Sequence, residues 1–169
     1  MAPDLVAADL TPIWHGLEAT PIGAAVRESL WLFPAIETLH LLGMAVLFTT
    51  IAAFDLRLLG LALPGVPVQP LARRLFPWAW TGFTVQVVTG ALLFASEATK
   101  MVVNPAFRLK MLLIALAGLH AAAFRRIACR DVSAWDPAAP PPLRGKIAGL
   151  ISLALWVGVV AAGRWIGFI

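Results

Sequence analysis

The sequence predicts an all-α membrane protein, a four-helix transmembrane bundle preceded by a short N-terminal interfacial segment. Hydrophobic residues make up 60% of the 169 residues and charged residues only 13%, whereas a soluble domain carries about a quarter charged residues. Four apolar stretches are each long enough to cross the roughly 30 Å hydrocarbon core of a bilayer. The lipid bilayer is therefore the first expected partner. We expect two parts, an outer-side interfacial segment at 1–28 and the bundle at 29–169.

The N-terminal part of the chain predicts one surface element and one span. Residues 1–28 are polar to amphipathic, which favours a short helix lying in the membrane interface around Val6–Leu17 or Ile22–Leu30. The first span is predicted at Ser29–Phe54, where Glu37 is the only charged residue. It ends at the polar pair Asp55 and Arg57, which we expect to lie at the membrane edge.

The remaining spans are separated by segments with the composition of loops. Residues 61–75 contain three prolines and one glycine, which predicts a loop. The second span is predicted at Phe76–Ser96 and the third at Phe107–Phe124, with a short turn between them. A proline-rich loop then leads to the fourth span, predicted at Ile147–Gly163.

The charged residues indicate an orientation and exclude several classes of function. Eight basic residues lie in or beside the two longer loops and five on the opposite side. By the positive-inside rule we expect a multi-pass protein of a bacterial inner membrane with both termini outside. The basic residues are scattered between apolar spans, so we expect no nucleic-acid partner. A single cysteine, Cys129, excludes an intramolecular disulfide and a cysteine-clustered metal site.

Two of the three histidines, His40 and His120, fall inside predicted spans. An ionisable residue at this depth is costly and is functional by default. His40 follows Glu28 by twelve residues and His120 follows Lys110 by ten, on spans that run in the same direction. Equal depth would let both imidazoles bind one iron, so we expect a single non-covalent haem b with His40 and His120 as ligands. The alternative is that each histidine hydrogen-bonds a neighbouring helix.

Polar and small residues near the histidines are candidates for contacting the same haem. Glu37 lies one helical turn before His40. Gly82, Gln86 and Gly90 share one face of the second span, where glycines allow close approach of a flat cofactor or of another helix. Gln86 is expected to contact a haem edge, a quinone or simply the next helix.

Three basic residues are candidates for binding the haem propionates. Arg108, Lys110 and Arg164 lie where the third and fourth spans are expected to meet the outer interface. Charge-assisted hydrogen bonds to carboxylates are stronger than neutral ones, and Arg can bind both oxygens at once. Anchoring of the helix ends by snorkelling is the alternative role.

Several strings of the sequence resemble a known family. They are FPAIETLHLLG, AAFDLRLLGL, ARRLFPWAWTGF, TGALLFASEA, NPAFRLKMLLIALAGLHAAAFRR and LALWVGVVAAGRWIGF. Together they resemble small four-span bacterial inner-membrane proteins grouped as a domain of unknown function, over roughly residues 29–169. More distantly the arrangement is similar to b-type cytochromes and copper-resistance-D-like membrane proteins, in which helix-borne histidines bind haem. The two-haem members of that wider group need four histidine ligands, whereas two intramembrane histidines here imply one haem.

These observations lead to two hypotheses of different classes. The first is a membrane-embedded b-type cytochrome that passes electrons between a quinone pool and an outer-side redox partner. Quinone and other membrane or periplasmic redox subunits are its expected partners. The alternative is a non-redox scaffold subunit or a small permeation protein, with Glu37, His40 and Gln86 lining a polar cavity. The sequence leaves open whether the protein is an enzyme, and it names no catalytic residue.

Overall fold

The structure, a computed structural model, describes residues 11–127 and 141–169, and these residues form helices and no β-strand. Four of the helices are long and apolar enough to cross a membrane. The prediction of an all-α, four-span bundle with short N-terminal helices is therefore confirmed, and the chain is treated below as a multi-pass membrane protein. In chain order the helices are α1 (Thr11–Glu18), α2 (Pro21–Glu28), α3 (Leu32–Leu59), α4 (Val68–Ser96), α5 (Ala98–Val103), α6 (Pro105–Ile127) and α7 (Leu143–Trp165).

The membrane helices are longer than the predicted spans because helical structure continues through polar and proline-containing segments. Helix α3 passes Phe54 and ends only at Gly60, whose φ of 77° is readily adopted by glycine. Helix α4 begins at Val68 within the predicted loop. Pro70 falls in its first turn, where a backbone N–H would have no helical acceptor, so a proline costs little there.

The N-terminal segment forms two short helices rather than one, and both pack on the bundle. Thr20 caps α2, with its hydroxyl oxygen accepting from the Gly23 N–H at 3.2 Å. Helix α2 packs against α4, and α1 packs against α5. Residues 11–17 of the predicted helix at Val6–Leu17 lie in α1, and residues 1–10 lie outside the described part of the chain. We call the end of the bundle that holds α1, α2, α5 and residues 166–169 the terminal end.

The opposite end of the bundle, which we call the loop end, holds residues 60–67 and the beginning of α7. A small apolar core of Phe54, Leu58 and Val68 lies there. Phe54 also makes an edge-to-face contact with Phe124 of α6 at a ring-centroid distance of 6.2 Å. This contact ties the end of α6 to the core of the loop end.

Helix α3 is the central helix, because it packs on α4 on one side and on α7 on the other. Helix α6 packs mainly on α7 and makes no comparable backbone contact with α3 or α4. Close crossings are set by glycines: a Cβ on Gly82 would lie 2.8 Å from the Leu47 backbone nitrogen. Helix α6 is therefore joined to α3 and α4 mainly through side-chain contacts.

At the terminal end, side chains fix the short helices and the C-terminal residues. The Thr99 N–H and hydroxyl both donate to the Glu18 carboxylate, at 2.8 and 2.6 Å. These hydrogen bonds hold the pKa of Glu18 below its usual value. The Asn104 side-chain amide donates to the carbonyls of Ile166 and Ile169. Both ends of the described chain are therefore anchored at the terminal end.

Candidate functional site

His40 lies on α3 with its ring against α4, and its hydrogen bonds determine which ring nitrogen carries the proton. The His40 Nδ1 atom is 2.8 Å from the hydroxyl of Thr89, a residue only 2% exposed. The same hydroxyl donates its single hydrogen to the Val85 carbonyl at 2.5 Å. It can therefore only accept from His40. Nδ1 carries the hydrogen, and Nε2 keeps a free lone pair.

The small-residue face of α4 divides into a packing part and a part that adjoins His40. Gly82 makes the close crossing with α3 described above, which confirms the packing alternative for this residue. Gln86 donates from its amide nitrogen to the backbone carbonyl of His40. A Cβ on Gly90 would lie 3.3 Å from the His40 Cε1 atom. Gln86 therefore fixes the backbone at His40, and Gly90 leaves room for its ring.

Lys110 reaches this region from α6. Its aliphatic chain and ammonium group run along Gly163 of α7, with Nζ 3.4 Å from the position that a Cβ on Gly163 would occupy. Lys110 is half-buried and is the charged group that acts electrostatically on the His40 ring. Its side chain thus brings a cation along α7 to the neighbourhood of His40.

His120 lies in a different part of the bundle. Its Nε2 atom is 3.0 Å from the Ala148 carbonyl of α7. A carbonyl only accepts, so Nε2 carries the hydrogen and the lone pair is on Nδ1. The next residue, Gly149, packs on the backbone of Asp55. Asp55 follows His40 by fifteen residues, roughly 22 Å along α3.

The expectation that His40 and His120 lie at one depth is therefore wrong, and the structure does not bring them together. Two ligands of one iron must approach within about 4 Å, twice a typical metal–nitrogen bond of about 2 Å. The depth estimate failed because it placed Lys110 at the membrane edge. Lys110 instead lies inside the bundle near His40, and His120 follows it by ten residues, roughly 15 Å along α6.

No hydrogen bond or ion pair joins the remaining candidates, Arg108, Arg164 and Glu37, to His40 in the described part of the chain. The Arg108 Nε atom donates to the Val102 carbonyl at 2.8 Å, and the side chain is exposed. Arg164 is also exposed, and its guanidinium carbon lies 4.7 Å from the centre of the Phe168 ring. Glu37 is exposed one turn before His40. Of the three basic candidates, only Lys110 reaches the His40 region.

Two of the buried polar residues, Thr89 and Asp55, were not predicted from the sequence to be functional residues. Thr89 adjoins Gly90 and follows Gln86 by three residues, so the helical face of α4 could have indicated it. Asp55 was expected at the membrane edge, yet it is only 3% exposed inside α3. Its burial depends on the close approach of α7, which no feature of the α3 sequence reveals.

The donor set around His40 can be tested against a bound haem. The residues present offer one free imidazole nitrogen on a ring held by Thr89, a glycine beside that ring, and the cation of Lys110. This set offers one nitrogen ligand for a haem iron, His40 Nε2, and it does not offer His120 as a second ligand of the same iron. No group of three His, Cys, Asp or Glu side chains within the described ranges could hold a metal ion.

Comparisons with known proteins give one match. No curated protein and no solved structure matches this chain. The match is to a family described as "Family of unknown function (DUF6644)", and it covers residues 32–169, which is the whole bundle from the first residue of α3. The chain therefore belongs to this family of unknown function, whose matched region is the four-helix membrane bundle described above.

Proposed function

We propose that this protein is a membrane-embedded b-type cytochrome in which His40 would hold one haem b by binding its iron through Nε2. The observation that carries the proposal is the Val85–Thr89–His40 hydrogen-bond chain, which leaves Nε2 as the free nitrogen. Metal-bound histidines typically donate their other ring N–H to a fixed acceptor, which orients the ring and raises its basicity. Thr89 is such an acceptor. His120 has no part in this site.

Lys110 has the second role in the proposed site. A haem carries two propionates, and a half-buried ammonium next to the ligand is a suitable partner for one of them. The backbone of α6 does not pack closely on α3 or α4, and ring contacts such as Phe94–Phe107 at 5.4 Å join them instead. The proposal places the haem edge on the Lys110 side of His40. Arg108 and Arg164, which are exposed at the terminal end, act as interfacial anchors in this proposal.

Haem supplies one-electron redox chemistry, and the position of His40 bears on its partners. His40 follows the first residue of α3 by eight residues, which places it roughly 12 Å from the terminal end. We propose that electrons pass between a quinone in the bilayer and a redox partner at that end. The excess of basic residues in the two longer loops supports a cytoplasmic loop end and an outer terminal end in a bacterial inner membrane. Reporter fusions after Arg130 and after Ile169 should then report opposite compartments.

The alternative of a non-redox permeation protein receives less support from the geometry. It requires Glu37, His40 and Gln86 to line one polar cavity. Glu37 is exposed at the surface of the bundle, and the Gln86 amide nitrogen is engaged by the His40 carbonyl. His40 Nε2 is a nitrogen acceptor with no hydrogen-bond partner among the described residues, which suits a metal ligand better than a pore lining.

The absorption spectrum of the purified wild-type protein tests the proposal. Protein from haem-replete cells should contain about one haem b per chain, measured as the pyridine haemochrome against protein concentration. Extraction with acidified organic solvent should remove the haem, since it is held without covalent bonds. A colourless wild-type protein would contradict the proposal and favour the scaffold alternative.

A further inference from the structure

A second buried site lies at the loop end, where α3 meets α7. Asp55 is 3% exposed, and its Oδ2 atom has no hydrogen-bond partner within the described part of the chain. The residue precedes the end of α3 at Leu59 by four positions. A carboxyl group buried in a membrane bundle is costly when charged and is functional by default.

Helix α7 encloses this carboxyl group. Ser152 makes a side-chain hydrogen bond to Asp55. Gly149, one turn earlier on α7, allows the two backbones to meet, because a Cβ there would lie 2.9 Å from the Asp55 carbonyl oxygen. The close approach requires a glycine at position 149 and brings Ser152, three residues further on α7, to the Asp55 side chain.

The cations near the loop end do not neutralise Asp55. Arg57 is 4% exposed, but residues two apart on a helix point in different directions, and its Nε donates to the Val66 carbonyl at 2.7 Å. His120 of α6 donates to the Ala148 carbonyl. No ion pair joins Asp55 to a basic residue in the described part of the chain. The remaining basic residues of this end on the described elements are Arg73 and Arg74 of α4, Arg125 and Arg126 of α6, and Arg144 and Lys146 of α7.

We propose that Asp55 and Ser152 form an intramembrane proton-binding site, in which Asp55 is held as a neutral carboxylic acid by the bundle. Among the described residues, an ionised carboxylate here would have no ion-pair partner and no hydrogen-bond donor to Oδ2, whereas a bound proton removes the charge. Ser152 donates to the oxygen that does not carry the proton. The site is independent of the haem, since Asp55 lies fifteen residues beyond His40 on the same helix.

The proton exchanges with solvent at the loop end. Asp55 is roughly 6 Å along α3 from its C-terminal residue but roughly 35 Å from its first residue. The short route runs past the residues that follow Gly60. The site therefore lies much nearer to the loop end, which suits uptake and release of a proton on that side.

Infrared spectroscopy of the full-length protein tests the proposal. At neutral pH the wild type should show a carboxylic-acid C=O band, which ionised carboxylates lack, and the band should shift in D₂O. Asp55→Asn should remove the band and leave the thermal stability close to that of the wild type, because an amide has the shape of the neutral acid. The control Glu97→Gln, which removes a carboxylate paired with Lys100 at 3.7 Å, should leave the band unchanged.

A second variant covers the case in which Asp55→Asn does not accumulate. Ser152→Ala removes the hydrogen-bond donor and keeps the acid, so the band should persist and move to the higher frequency of a free C=O group. Absence of the band from the wild type, or a band that neither variant changes, would overturn the proposal. Failure of haem binding would not affect either result.

Discussion

His40 and His120 are the same residue type, each half-buried on a membrane helix, yet the bundle uses them in opposite ways. His40 meets a side-chain hydroxyl of α4 through Nδ1, and His120 meets a backbone carbonyl of α7 through Nε2. The first contact leaves Nε2 of His40 without a hydrogen-bond partner among the described residues, whereas the second engages Nε2 of His120. Half of the length of the bundle separates them.

The difference shows that an intramembrane histidine is defined by its partner rather than by its depth. A backbone carbonyl is present on every helix, and a hydrogen bond to it stabilises helix packing with nothing further required. A buried threonine whose own hydrogen is already donated is a more specific partner, because it fixes both the tautomer and the ring. His120 therefore has a structural role, and His40 has the properties of a ligand.

Replacing each histidine in turn should give the largest contrast. His40→Ala should weaken haem retention by more than about a hundredfold, beyond the range seen when only an outer-shell partner is lost. His120→Ala should keep full haem content and lose only one hydrogen bond, about 1 kcal/mol of unfolding free energy. Haem content per chain and thermal unfolding measure the two effects. Equal haem loss in both variants would restore the two-histidine site.

The role of Thr89 can be separated from that of threonines in general. Thr89→Val keeps the shape but removes the acceptor for the His40 N–H, so haem affinity should fall by about 10–100-fold. Thr84→Val on the same helix is the matched control, since the Thr84 hydroxyl is exposed and bonds only to the Trp80 carbonyl. Haem transfer to apomyoglobin measures both affinities. Indistinguishable transfer rates would remove Thr89 from the site.

A smaller effect is expected from Lys110. Lys110→Met removes a cation near the haem, which favours the more positive oxidised state and lowers the midpoint potential. The change should be on the order of 1 kcal/mol, or tens of millivolts, for a partly buried charge. Arg164→Met should leave the potential unchanged, because Arg164 is exposed and stacks on Phe168. Redox titration compares them, and a larger shift in the Arg164 variant would reverse the assignment.

The smallest effect concerns the terminal end alone. The Thr99 hydrogen bonds lower the pKa of Glu18 in the folded protein, so their stabilisation is complete above the usual pKa of about 4.5. It is lost as pH falls through the lower, folded pKa. Acidification should therefore increase hydrogen exchange in α1, corrected for the intrinsic rate, but not around His120. Thr99→Val should show the increase already at neutral pH. Unchanged exchange in both cases would contradict a stabilising role for the Thr99–Glu18 hydrogen bonds.

The fold was predictable because hydrophobic length is a local property of the sequence. Helix boundaries were less predictable, because Pro70 and Asp55 are residue types common in loops and yet lie inside helices. At the site, His40, Gln86, Gly90 and Lys110 were identified by residue type and helical spacing. Their mutual positions were not, because helix offset along the bundle axis depends on close crossings such as that of Gly82 with α3. Lys110, which the sequence analysis placed at the membrane boundary, is instead half-buried inside the bundle.

The proton positions on the two intramembrane histidines test the central claim most directly. Nitrogen-15 NMR of histidine-labelled, haem-free protein in bilayers distinguishes a protonated from an unprotonated ring nitrogen, and His40→Gln and His120→Gln assign the signals. The structure predicts a hydrogen on Nδ1 of His40 and on Nε2 of His120, with the His40 pattern reversed or averaged in Thr89→Val. The same protonated nitrogen in both histidines, or a His40 pattern unaffected by Thr89→Val, would contradict the account.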